Sequence, residues 1–195
     1  MKNIISILVF TLSLTLSAQE VKMRDIFAQA PDSIFPLMTK NNKLDCIDFI
    51  ENNMRARVKN KFDTYSELTM LTNDYLRLQQ SEKSMVEMKI FSDSLLCMVH
   101  TFLGPAADSE VSFYNLKWEP VSYPLERPKA DDFFQPEADA EVSGLLRQLP
   151  LIKASLRPDD ATLTWELQTT ELTKVQKKTA ERFLHSIAVL LGHEH

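Results

Sequence analysis

From Tyr65 to Trp118, apolar and polar residues alternate in short runs separated by turn-forming residues. Met85–Phe91 puts Val86, Met88 and Ile90 on one side and Glu87 and Lys89 on the other, the two-residue period of a half-buried strand. Tyr75–Gln79 directs Leu76 and Leu78 inward in the same way, and Ser66–Met70 is a shorter version. Leu95–Phe102 is apolar on both faces in its first half, as a central strand covered on both sides would be. Val111–Trp118 follows, rich in aromatic residues. The connections Thr72-Asn73-Asp74, Ser81 to Ser84, Ser92-Asp93-Ser94 and Gly104 to Asp108 are turn-like. Strands joined by such short links pair antiparallel, because a parallel pair needs a long crossover.

The period changes on either side of this meander. Val21 to Ala28 predicts a short helix ended by Pro31, with Met23, Ile26 and Phe27 inward. Asn41 or Asn42 starts a second helix to about Val58, in which Leu44, Ile47, Ile50, Met54 and Val58 recur at helical spacing. Pro120, Pro124, Pro128 and Pro136 punctuate an extended connection. A helix is expected over Glu137–Leu149 with Val142, Leu145, Leu146 and Leu149 inward. A hairpin over Leu151–Leu156 and Thr162–Gln168 comes next, then a helix from Lys174 to about Leu191 capped by Thr173. The expected fold is α+β: a single curved antiparallel meander of six to seven strands covered by N- and C-terminal helices. It forms one domain over residues 19–195, helical over 19–60, sheet over 65–118, Pro-rich over 119–136, and helix, hairpin and helix over 137–195.

The first eighteen residues set the expected location. Lys2 precedes an apolar run from Ile4 to Leu16, and Leu16-Ser17-Ala18 ends in a small residue. This is the pattern of a signal peptide over residues 1–18 cleaved near Ala18, which makes the protein exported, periplasmic or extracellular, with no membrane span in the mature chain.

Composition narrows the chemistry. A charge of −5 and no basic run give nucleic acid no face to bind, and 3 glycines leave little for phosphate-cradling loops. Cys46 and Cys97 are expected as buried free thiols, with a helix-to-sheet disulfide left open. His100 sits in mid-strand on the face of Leu96, Met98 and Phe102; Cys97 points to the opposite face, so the two do not form a metal or nucleophile pair. The terminal His193-Glu194-His195 reads as a frayed polar end, and the acidic residues Asp131, Asp132, Glu137, Asp139 and Glu141 as solvated surface. Tyr114, Trp118, Tyr123, Phe133, Phe134 and Trp165 read first as core and second as a ligand groove. The candidate ligand-binding residues are His100, Tyr114, Trp118 and Trp165. No catalytic or metal-binding motif emerges, and no cofactor is called for.

Several segments carry a resemblance: the apolar leader ending in Ser-Ala-Gln, Met23-Arg24-Asp25-Ile26-Phe27, Pro31-Asp32-Ser33, Leu44-Asp45-Cys46-Ile47-Asp48-Phe49 and Leu71-Thr72-Asn73-Asp74-Tyr75-Leu76. In these the chain resembles an uncharacterised family of exported proteins from Bacteroidetes-type bacteria, a domain of unknown function. The resemblance implies a secreted globular protein and assigns no residue a role. A curved meander covered by helices is also similar in architecture to exported half-barrels that carry lipids or bind proteins. The leading expectation is a non-catalytic envelope protein that binds either an apolar ligand between sheet and helices or another exported protein. A hydrolase using His100 and a structural envelope component are the alternatives.

Overall fold

The computed structural model describes residues 21–170 and 172–192. The leader expected over 1–18 and the terminal His193-Glu194-His195 lie outside them. Helices α1 (Met23–Gln29) and α2 (Lys40–Glu51) come first. Strands β1 (Ala56–Lys59), β2 (Tyr65–Leu71), β3 (Tyr75–Ser81), β4 (Ser84–Ile90), β5 (Leu95–Leu103) and β6 (Ala107–Asn115) then form a six-stranded antiparallel meander in chain order. A 3₁₀ turn (Ala130–Phe133) interrupts the Pro-rich connection. Helix α3 (Ala140–Gln148), strands β7 (Ile152–Leu156) and β8 (Thr162–Leu167), helix α4 (Lys174–Ala180) and strand β9 (Ile187–Leu190) complete the chain. The expected α+β class and antiparallel meander are present. The terminal hairpin does not extend the meander: β7, β8 and β9 make a separate three-stranded sheet.

The second sheet divides the core in two. On one face of the meander, Leu76, Leu78, Val86, Met88, Leu96 and Met98 pack against Met23, Phe27, Phe35, Met38, Cys46 and Ile47. On the other face, Tyr75, Cys97, Val99 and Phe113 pack against Ala154, Leu156, Leu163 and Trp165 of the small sheet and against Phe133, Val142, Leu146 and Phe183. Alternation along each strand sorts residues between the two faces. Glu87 and Lys89, read as solvent-facing, therefore lie under the second sheet at 4% and 3% exposure.

Several boundaries differ from the sequence reading for local reasons. Helix α2 is capped by Thr39, whose hydroxyl accepts from the Asn42 amide while the Asn42 side chain accepts from the Thr39 amide. It stops before Asn53, whose φ of 57° leaves the helical region. Val58 thus belongs to β1, which the helical reading had absorbed. Strand β6 ends at Asn115; Trp118 has φ 67° in a turn closed by its amide on the Asn115 carbonyl. Helix α3 is capped by Asp139 and buries Val142 and Leu146, whereas Leu145 and Leu149 point outward. The last helix ends at Ala180, and the chain turns into β9 once Phe183 is anchored in the core, its carbonyl accepting from the Gln135 amide. No helix among the described residues is long and apolar enough to cross a membrane.

Candidate functional site

The small sheet covers only part of the meander, with β7 packed on β4, β5 and β6. The same face of β1, and of β2 and β3 around Glu67 and Gln79, is left open, whereas Tyr75 at the other end of β3 is buried. Register places Arg57 opposite Glu67 and Glu67 opposite Gln79, a polar row across three strands, with Tyr65 next to it on β2. The row lines an open cleft of about 580 Å³ together with Arg55, Ser81 and Lys83. Arg55 donates from Nε and Nη2 to the two oxygens of Glu67 at 2.9 and 2.7 Å, and this bidentate contact holds the Glu67 carboxyl below its usual range. Arg57 lies 4.2 Å from the centroid of the Tyr65 ring, and Tyr65 is 51% exposed. Gln79 donates to the Ser81 and Ser84 carbonyls and fixes the β3–β4 turn. The arrangement presents a guanidinium, an aromatic ring and a paired carboxylate on rigid strands, a binding surface for a polar partner.

The four residues singled out from sequence do not share one site. Tyr114 and Trp118 pack together at 5.7 Å on the helix-covered face, where the Trp118 indole donates to the Ile26 carbonyl. Trp165 is buried in the opposite core, and its indole N–H has no partner among the described residues. His100 is on the helix-covered face, tilted against Phe102 at 4.4 Å. Burial lowers the His100 pKa, opposed by Glu110, and its Nε2 makes no hydrogen bond among the described residues. The four candidate residues are thus spread over both faces of the meander, with Trp118 and Trp165 in separate cores.

No helix-to-sheet disulfide links the two cysteines. Cys46 and Cys97 are free and lie in cores on opposite faces of the meander. Burial pushes the Cys46 thiol up to about 12 and raises that of Cys97 as well. The acidic cluster has structural work: Asp131 pairs with Arg147, Asp132 accepts from the Lys129 amide, and Asp139 caps α3. Among the described residues no group of three or more His, Cys, Asp or Glu stands together to hold a metal ion.

A buried polar cluster between the sheets also went unread. Tyr75 donates its hydroxyl to Glu87 Oε1 at 2.5 Å, and Lys89 Nζ reaches both Asp74 and the Pro158 carbonyl at 2.7 Å. Burial raises the Glu87 pKa, opposed by the Tyr75 hydroxyl and the Leu156 amide. Through Pro158, Lys89 fastens the β7–β8 turn to the meander.

A family model described as "Protein of unknown function (DUF3256)" matches residues 13–191. The chain belongs to this family. A solved structure titled as a domain of an uncharacterized protein from Porphyromonas gingivalis is similar to it, with 25% sequence identity and a TM-score of 0.67 over 85% of this chain and 91% of that one. No curated protein matches the chain. The resemblance to a Bacteroidetes domain of unknown function is thus supported, and the family brings no residue role to the cleft.

Proposed function

We propose that this DUF3256 chain is an exported, non-catalytic binding protein of the bacterial cell envelope that holds another exported protein on the open half of its meander. The observation that carries this reading is the Arg57–Glu67–Gln79 row beside half-exposed Tyr65 on an uncovered sheet face. Arg and Tyr are the residue types that anchor interfaces, and strands hold them without reorganisation. A polar partner suits this lining better than a lipid. The alternative, an apolar ligand between sheet and helices, meets a space already filled by Met23, Phe27, Phe35 and Met38, each at 0% exposure. Export, to the periplasm or beyond, is supported by the leader-like pattern of residues 1–18.

The test places a photo-crosslinking side chain at Tyr65 in cells that make the protein, with Glu126 as a control position. A discrete protein adduct at Tyr65 that disappears in Arg57→Ala supports the proposal. Absence of an adduct at Tyr65, or equal adducts at both positions, overturns it. Native and denaturing masses of the purified protein give a second readout: a small molecule lost on denaturation returns the weight to a ligand carrier.

A further inference from the structure

Most strand edges in the described residues are closed by specific groups. At β1, the outward Arg57 amide donates to the Arg55 carbonyl, and the outward Lys59 carbonyl accepts from the Asn42 side chain. Along β6, the Phe113 carbonyl accepts from the Val121 amide, the Asn115 amide donates to the Glu119 carbonyl, and the Ser109 carbonyl accepts from Arg127. At β7, the Ile152 amide donates to Asp108 and the Ala154 amide to the Ser109 hydroxyl. Closed edges of this kind stop one sheet from adding to another.

Strand β9 is built differently. It ends the small sheet, pairing with β8 through Leu163↔Val189 and Trp165↔Ile187. The Leu191 amide donates to the Ala161 carbonyl in the same register, so alternation turns Ile187 and Val189 backbone groups toward β8 and those of Ala188 and Leu190 away from it. Among the described residues no hydrogen bond reaches the outward groups of Ala188 and Leu190, and only beyond the strand does the Gly192 amide donate to the Tyr123 hydroxyl. No charged residue, proline or bulge guards Ile187–Leu190. Ala188 and Leu190 are exposed, and Ile187 and Val189, on the core-facing side, are only partly covered.

We infer that the β9 edge is a self-association site at which a second copy of this chain pairs its own β9 antiparallel across a two-fold axis. The strand is self-complementary. An axis at Val189 sets Ala188 opposite Leu190 of the other copy, so each outward amide meets an outward carbonyl. It also brings the two Val189 side chains together over the partly open core edge, with no like charges opposed. A four-residue edge buries little area, so the dimer is weak and reversible.

Sedimentation of the purified protein over a wide concentration range tests this, alongside Ala188→Pro and Leu190→Lys. Ala188→Pro removes an amide that points away from β8, and proline is tolerated at such an edge position. The expected result is a reversible monomer–dimer equilibrium in the parent that is lost in both variants, with thermal melts unchanged. If Ala188→Pro fails to fold, Leu190→Lys decides alone. A parent that stays monomeric throughout overturns the inference, as does a dimer that survives in a folded variant. Hydrogen exchange adds an independent reading: the Ala188 and Leu190 amides gain protection as concentration rises, and concentration-independent exchange overturns the inference too.

Discussion

The Tyr75 hydroxyl donates a 2.5 Å hydrogen bond to Glu87 Oε1 beneath the second sheet, where Glu87 is 4% exposed and its other oxygen lacks a hydrogen bond among the described residues. Burial raises the Glu87 pKa, so the folded protein holds this proton at pH values where the unfolded chain has released it. Stability therefore falls as pH rises from the unfolded carboxyl range through the folded pKa. Glu87→Gln keeps an acceptor for Tyr75 and removes the charge. We expect it to flatten that fall, so that its stability gains on the parent's as pH rises. Urea unfolding across pH checks this; a variant with the parent's pH slope refutes it.

Tyr75→Phe probes the same contact from the other side. It leaves Glu87 without its donor, so the expected loss is about 1–3 kcal/mol at neutral pH. In the Glu87→Gln background the loss shrinks, because a neutral amide tolerates a missing donor better than a carboxylate. A double-mutant cycle in denaturant measures the coupling, and additive changes would show that the pair does not interact.

The meander was legible because its alternation is regular and its turns are short. Leu76/Leu78, Val86/Met88 and Leu96/Met98 all face the side their spacing predicts. The second layer was hidden by the same rule. Period two separates Glu87 and Lys89 from Val86 and Met88, but it does not say that another sheet will cover the polar side. β1 was lost because Met54 and Val58 continue the helical spacing of α2, while the Asn52-Asn53 stop was outweighed. That loss took Arg55 and Arg57 with it, and so concealed the cleft. β9 was lost because Phe183, Leu184 and Ile187 fit a helical period as well as a strand.

The cysteines give a redox prediction. Cys46 and Cys97 occupy cores on opposite faces of the meander. The purified protein is expected to show the same mass before and after reduction. Thiol reagents should label neither residue until the protein unfolds, because the buried thiols resist ionisation, Cys46 up to about 12. Rapid native labelling, or a mass gain on reduction, would contradict this placement.

Gly144 lies inside α3, where no neighbouring atom comes within 4 Å of the position an added Cβ would take. Its φ is not positive, so alanine fits the backbone as it stands. Gly144→Ala removes backbone freedom from the unfolded chain and is expected to stabilise the protein by about 0.4–1 kcal/mol. Thermal melts check the sign. A lower Tm would refute it.

His100 separates binding from hydrolysis. Its ring packs on Phe102, its Nε2 is without a partner among the described residues, and burial lowers its pKa. A lowered folded pKa means that the unfolded chain takes up the proton first, so stability is lost as pH falls through the unfolded histidine range. His100→Phe removes this titration and leaves no buried nitrogen unpaired. The variant is expected to match the parent within about 1 kcal/mol at neutral pH and to resist mild acid better. Partner crosslinking at Tyr65 should persist in it, because His100 lies on the other face of the meander. If the protein turns over an envelope ester or peptide and His100→Phe abolishes that turnover while leaving the fold intact, the non-catalytic reading fails.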